Sequence, residues 1–267
     1  MAEIAVHSRG AVRVAVIDNE STRNAFTSSM AMDLLAILDE AEADPAVRCV
    51  VVTGAGGRAF SSGHDLSEVL AHPENASDPV KNAAFVRPTT MTTPVVAAVN
   101  GAAYAAGFIL ALSCDLRVAA TNATFGASGA RIGLLPVGGQ LSRLVALSSY
   151  PVAFELTATA APMTAERAYQ VGLVSRVTQP GQALDAALET ADTIAANSPA
   201  VVRSVKVGLR RTLHDGLDAG LRFEQEQAGA LRALPDGAEG VEAFLARRAP
   251  VYPDAPVDLP GLSPDSA

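Results

Sequence analysis

The sequence predicts an α/β core followed by an all-helical C-terminal region, and three observations carry that expectation. Apolar runs of strand length recur through the first half: "RCVVVTG" at 48–54, "PVVAAVNG" at 94–101 and "DLRVAA" at 115–120. Runs without polar alternation are typical of strands buried on both faces. Each is followed by a loop of small residues and then a helix-like segment, the repeat of an α/β architecture. From residue 183 onward the pattern is helical only, over 183–196, 199–214, 218–233 and 237–248, with no intervening strand signal.

The elements follow in order. "EIAVHSRGAVRVAVIDN" reads as a hairpin around Gly10, in which Val12, Val14 and Val16 alternate with Arg13 and Ala15 at the period of a half-buried strand. Between Thr27 and Ala43, residues Met30, Leu34, Leu35, Ile37 and Leu38 recur at helical spacing, and Asp44-Pro45 closes the segment. "TAERAYQVGLVSRV" begins with a capping Thr164 and has Gly172 where a helix would stop. The tail from Pro250, "PVYPDAPVDLPGLSPDSA", carries five prolines and little to bury, so it reads as extended or disordered. No internal repeat is visible.

The chain has 267 residues, 49% hydrophobic and 18% charged, with no tryptophan. That suits a compact protein with a substantial core. A formal net charge of −8 disfavours general affinity for nucleic acid or an anionic membrane. Cys49 and Cys114 each sit in apolar runs and read as buried free thiols of a reducing compartment. The N-terminus does not resemble a signal sequence, and no apolar run approaches the roughly 18 to 20 residues of a membrane span. The expectation is a cytoplasmic protein.

Two loops share a design. "AFSSGHDL" at 59–66 and "VNGAAYAAGFIL" at 99–110 each join a strand to a helix through small residues. Small residues let a ligand approach the backbone, and the first amides of a helix lack internal partners. Two such amides aimed at one point would form an oxyanion hole; tight packing alone is the other reading of the same spacing.

The segments "STRNAFTSSMAMDLLAIL", "AFSSGHDLSEV", "PVVAAVNGAAYAAGFILALSCDLRVAATNATFGASGARIGLLPVGGQLSRL", "TAERAYQVGLVSRV" and "AFLARRAPVY" resemble, in order and spacing, the enoyl-CoA hydratase/isomerase (crotonase) superfamily. The likeness runs to about residue 252. "FSSGHDL" with "NGAAYAAG" is most similar to the branch that contains the enoyl-CoA hydratase domain-containing protein 3 group. The resemblance implies a spiral of β-β-α units over residues 1–196, a helical oligomerisation region over 197–250 that makes trimers or hexamers, and the Pro-rich tail at 251–267. It implies an acyl-CoA or enoyl-CoA ligand, with CoA as part of the substrate and no separate cofactor or metal. The thioester carbonyl would be held by the backbone amides of His64 and Ala106.

The same resemblance places further CoA-thioester contacts at Arg23, Ala25, Ser62, Gly63, Asp65 and Leu66 in the first half of the site. Ala105, Gly107, Ile109, Gly129, Leu134 and Val137 would complete it. Lys206 and Arg247 stand where basic residues of the family often meet the CoA phosphates; on a helix, either also reads as a solvated side chain.

Here the chain departs from the family pattern. Hydratases of the family use two glutamates, and their places are taken by Ile109 and Gly129; neither side chain transfers a proton. The run "FGASGARIGLLPVGGQ" at 125–140 contains no Asp or Glu, and Val137 stands where related isomerases and dehalogenases carry a carboxylate. Among nearby titratable groups, His64 suits proton transfer at neutral pH, unless only its backbone is used. Tyr104 offers a hydroxyl or merely an aromatic wall. Asp65 reads as the cap of a helix starting at Leu66, with Glu68 completing a capping box. Arg131 follows Gly129, and Asp115 reads as structural. Three functions remain open: a family enzyme of nominal hydratase class, a non-catalytic acyl-CoA binder, and decarboxylation or thioester hydrolysis through Tyr104 or His64.

Overall fold

The computed structural model describes residues 2–72, 78–257, 259, 261 and 262, apart from the side chains of 79–81. β1 (Glu3–Arg9) and β2 (Val12–Asp18) form the opening antiparallel hairpin, turning at Gly10 with φ +54°. α1 (Ser28–Ala43) follows, with Thr27 as its cap: the Thr27 hydroxyl accepts the Met30 amide at 3.2 Å. Next come β3 (Cys49–Gly54), β4 (Ala59–Ser61), α2 (Leu66–Ala71), α3 (Pro79–Val86), β5 (Val95–Val99), β6 (Ala102–Tyr104) and α4 (Ala106–Ser113). β7 (Leu116–Ala120), β8 (Thr124–Gly126), α5 (Gln140–Leu147), α6 (Tyr150–Thr159), β9 (Met163–Thr164), α7 (Ala165–Gln170) and β10 (Arg176–Thr178) complete the core. The C-terminal helices are α8 (Ala183–Ala195), α9 (Pro199–Asp215), α10 (Leu217–Arg232) and α11 (Pro235–Ala246).

Among the described residues the strands form two mixed sheets. The larger runs β1-β2-β3-β5-β7-β10, parallel except for the hairpin, and the smaller runs β4-β6-β8-β9, with β9 antiparallel. Each long strand β3, β5 and β7 therefore passes to a short strand of the second sheet. The short strands have three residues each, too few to show a period, and they lie within what the sequence presents as loops. α3 is an element that the sequence reading did not include.

The larger sheet is buried on both faces, which is why its strands lack polar alternation. Val50 and Val52 face a core with Met30, Leu34 and Leu38 of α1, while Cys49 and Val51 face Ala187 and Ala191 of α8. Phe108 and Phe125, 5.8 Å apart by ring centroids, fix α4 to β8. Both cysteines are free and buried, and burial pushes each thiol up to about 12.

The tail differs from the sequence expectation in one respect. Its described residues form no helix or strand, yet Leu259 and Leu262 are buried with Val207 and Phe223. Arg48 holds the approach to this packing through Tyr252 O at 2.6 Å and Asp254 Oδ1 at 2.8 Å. Residues 258, 260 and 263–267 of the tail lie outside the described set.

Arg117 on β7 is 5% exposed and serves as a polar knot. It donates to the carbonyls of Leu173, Ala111 (3.1 Å), Cys114 (2.6 Å) and Asp115 (3.4 Å), tying the C-terminal end of α4 to the segment before β10. Burial lowers its pKa, and the carbonyls supply the negative charge density that desolvation removed. Arg117→Met keeps the length but leaves those acceptors without a donor. A loss of about 3 kcal/mol is expected in urea unfolding, from the cost of removing one member of a buried polar cluster.

Candidate active site

The loops after β4 and β6 lie directly against one another. Gly63 has φ +103°, and a Cβ built there would fall 2.8 Å from the Ala105 Cβ and 3.3 Å from the Ala106 amide nitrogen. A side chain at Gly107 would collide with the Ser61 carbonyl. Glycine is required at both places for the two backbones to touch. Ala105 completes the geometry as the residue before α4, with φ +47° and ψ −121°, a conformation that costs an L-residue about 1–3 kcal/mol.

The first loop is fixed by its neighbours. Phe26 donates its amide to Gly63 O at 2.7 Å, Asp65 donates to Phe26 O at 2.8 Å, and Gly63 donates to Ser61 Oγ at 3.2 Å. This bridge leaves the His64 amide out. Ala106, as the first residue of α4, has no intrahelical acceptor. Among the described residues neither the His64 nor the Ala106 amide has an acceptor, and both residues line one cavity.

That cavity measures about 500 Å³. Ala105, Ile109, Gly129, Leu134 and Val137 also line it, as do Asn82, Phe85, Ser128 and Gln140, which the sequence reading missed. Asn82 and Phe85 come from α3; the only sequence sign of that helix is a short apolar cluster, Ala84 to Val86, ahead of Pro88. Among the described residues no Asp or Glu lines the cavity. Ile109, 7% exposed, is seated over Gly138, where a Cβ would come within 2.7 Å of its terminal methyl. At Gly129 a side chain would collide with the Leu134 carbonyl, and Leu134 donates its amide back to Gly129 O at 2.9 Å. The 128–134 loop is thus folded onto the glycine, and a glutamate cannot be added there without moving it.

The His64 side chain does reach the cavity wall. Its ring stands edge-on to Phe85, with centroids 5.2 Å apart and planes at 82°, and it shares a hydrogen bond with Asn82. Burial lowers the His64 pKa, partly offset by Asn82 and by the charge of Glu68. The imidazole is therefore neutral at pH 7 and keeps a nitrogen able to accept a proton.

Other sequence candidates are placed elsewhere. The Tyr104 ring lies against Gly126, with its hydroxyl 3.3 Å from Thr124 Oγ1, and it does not line the cavity. Lys206 is not free to meet a phosphate: its ammonium donates to Pro88 O (2.9 Å), Thr93 O (3.0 Å) and Asp115 Oδ2 (2.8 Å), which uses all three donors. Asp115 also accepts the Val95 amide at 2.7 Å, as a structural residue. Asp65 caps α2 through Ser67, but Glu68 does not close a capping box. It instead accepts the Ser28 amide and hydroxyl at 2.7 and 2.8 Å, capping α1. Arg131 donates to Ala160 O at 2.9 Å.

Arg23, with φ +60°, accepts the Ser62 amide on its carbonyl at 3.1 Å, and Ala25 is buried beside it. Ser62, Leu66 and Arg23 lie outside the lining of the cavity, at the outer side of the first loop. Arg247 is exposed, at the C-terminal cap of α11. Among the described residues no cluster of three His, Cys, Asp or Glu is arranged to hold a metal, and no helix is long and apolar enough to cross a membrane.

Two mixed sheets with C-terminal helices, and paired strand-to-helix loops meeting over a cavity, define the α/β crotonase fold. The chain belongs to the enoyl-CoA hydratase/isomerase family, which it matches over residues 8–255. It is 32% identical over 250 residues to the short-chain-enoyl-CoA hydratase of Clostridium acetobutylicum, covering 92% of this chain and 95% of that one. It is 33% identical over 253 residues to the 2,3-dehydroadipyl-CoA hydratase of Escherichia coli, covering 94% and 99%. Among solved structures it is similar to an enoyl-CoA hydratase from Bacillus anthracis, with TM-score 0.91, 29% identity and coverage of 95% and 100%. An enoyl-CoA hydratase from Polaromonas sp. JS666 gives TM-score 0.88 at 33% identity, with coverage of 94% and 100%.

The lowered His64 pKa has a sign that can be measured. Since the unfolded chain titrates at the ordinary value near 6.5, it takes up this proton before the folded protein does. Folding stability therefore falls as pH drops below about 6.5, and above that pH this group adds no pH dependence. His64→Phe is expected to lose less stability between pH 7 and pH 5 than the wild type in urea titrations. Equal slopes would contradict a buried neutral imidazole.

Proposed function

We propose that this protein binds an acyl-CoA or enoyl-CoA thioester in the cavity between the two loops. The carbonyl oxygen would lie between the His64 and Ala106 amides, and conventional two-carboxylate hydration would be absent. The single observation that carries this reading is that, among the described residues, two partnerless amides face a cavity lined by no carboxylate. Oxyanion donors of this kind stabilise negative charge on a thioester oxygen. Hydration additionally needs an acid and a base to position and split water, and Ile109 and Gly129 supply neither. CoA enters as part of the ligand, and no other cofactor is proposed.

A second reading is favoured by His64, the one imidazole among the described residues of the cavity wall. In thioester hydrolysis, water would give a proton to the imidazole as its oxygen bonds to the carbonyl carbon. The oxyanion would rest on the two amides until the carbon–sulfur bond breaks, and the departing CoA thiolate would take the proton from His64. Tyr104, turned toward Thr124, is not favoured for this work. The non-catalytic binder is the limiting case in which neither reaction occurs.

For assembly, we propose a trimer, alone or paired into a hexamer, through the C-terminal helices. The support is the run Val201, Val205, Leu209 and Leu213 along α9, each apolar and exposed in the single chain, at the spacing of one helix face. Arg247 is the retained candidate for a CoA phosphate, reached across such an interface. The motif pair "FSSGHDL" and "NGAAYAAG" supports placement near the enoyl-CoA hydratase domain-containing protein 3 group, and the reducing-compartment composition supports a cytoplasmic setting.

Crotonyl-CoA assayed at high enzyme concentration, followed both by enoyl absorbance and by release of free thiol, tests the readings together. Hydration is expected to be roughly 10²–10⁴-fold below that of the Clostridium acetobutylicum relative, the usual contribution of general acid and base groups. Hydration at the relative's rate would overturn the proposal. Thiol release that His64→Phe abolishes would select hydrolysis, and its absence alongside measurable binding would select the binder.

A further inference from the structure

Two consecutive glycines precede α5, and each leaves room for one side chain. Gly138, with φ +65°, seats Ile109, whereas a Cβ at Gly139, with φ +83°, would collide with the guanidinium of Arg143. Arg143 is half-buried in the first turn of α5. Its Nη1 donates to Gly138 O at 2.7 Å and its Nη2 to Thr89 Oγ1 at 3.4 Å. Burial lowers its pKa, and among the described residues no carboxylate offsets that. Thr89 belongs to the short turn Arg87–Thr89 that follows α3, and its hydroxyl donates to Val86 O at 2.7 Å, which leaves its lone pairs for the guanidinium. A line of hydrogen bonds thus runs from Val86 through Thr89 and Arg143 to Gly138, and both end residues line the cavity. The α3 end of this line is anchored from outside the cavity: Arg210 donates to Thr89 O and Lys206 to Pro88 O, each at 2.9 Å and each from α9. The 136–138 wall is the side whose position depends on Arg143.

We propose that Arg143 is a positioning residue that sets the width of the acyl cavity, and with it the acyl groups admitted, by clasping the Val137–Gly138 wall to the turn after α3. The inference rests on the thioester-binding reading above and names the determinant of acyl selection at that site. A guanidinium suits the task because its planar fork directs bonds to two neutral acceptors at once, where the single point charge of lysine would serve one of them. The wall it holds has little else to fix it. Gly138 and Gly139 carry no side chains to pack, and glycine at positive φ can readily adopt other backbone conformations. Without the clasp, the 136–138 segment is free to withdraw from α3. A wider cavity then admits a broad acyl group, while a narrow one, already accommodated, gains nothing.

The test is calorimetric binding of butyryl-CoA and cyclohexanecarbonyl-CoA to the full chain, as wild type, Arg143→Met, Arg143→Lys and Thr89→Val. The quantity read is the ratio of the two affinities, because a general loosening of the fold weakens both esters together and leaves that ratio alone. Arg143→Met is expected to shift it about tenfold toward the cyclohexyl ester, the scale of one charge-assisted hydrogen bond. Thr89→Val is expected to shift it in the same direction to a smaller extent, and Arg143→Lys, which keeps one donor, to restore part of the wild-type ratio. An unchanged ratio in Arg143→Met overturns the clasp while leaving thioester binding intact. Should that variant fail to fold, an unchanged ratio in Thr89→Val does the same. Failure of both esters to bind the wild type overturns the thioester reading and the clasp with it.

Discussion

The close stacking of two backbone loops is the constraint on which the rest of the structure depends. Gly63 and Gly107 are the points where the loop after β4 meets the start of α4, and no side chain larger than hydrogen fits at either. Everything that follows is arranged to hold that meeting: the Phe26 bridge to Gly63 and Asp65, the strained backbone of Ala105, and the aromatic pair Phe108 and Phe125 behind α4. The local strain is affordable because a doubly covered sheet supplies far more burial than one loop consumes. A consequence is that the amides of His64 and Ala106 are the groups left over, and their direction is set by the fold instead of by flexible side chains.

This frame separates binding from chemistry. Backbone amides do not depend on the identity of the acidic side chains that a reaction would use, so binding of a thioester and its chemistry can vary separately. Ile109 is seated on Gly138, and the 128–134 loop is folded onto Gly129, which leaves no room for a larger side chain at either glycine. Among the described residues the polar side chains of the wall are His64 with Asn82, and Ser128 and Gln140.

Much of the fold was legible in the sequence because its main strands are buried on both faces and its helices carry caps. Cys49–Gly54, Val95–Val99 and the Thr27 cap of α1 are examples. The three-residue strands of the second sheet were not, since they show no period and derive their pairing from neighbours distant in sequence. The residues that line the cavity followed the same division. His64 and Ala106 could be read from the small-residue loops and the family resemblance. Asn82, Phe85 and Gln140 could not, because only tertiary packing of α3 and α5 brings them to the cavity. Lys206 shows the opposite error: a basic residue on an amphipathic helix suggests a phosphate ligand, but folding surrounds its ammonium with two carbonyls and Asp115.

The most direct measurement of the central claim is the infrared carbonyl stretch of a thioester labelled with ¹³C at the carbonyl, recorded free and bound as butyryl-CoA. Two amides donating to one oxygen weaken the carbon–oxygen double bond, so the account predicts a clear shift to lower frequency on binding. A bound thioester whose carbonyl absorbs at the frequency of the free ligand in an apolar solvent would show that the His64 and Ala106 amides do not hold it.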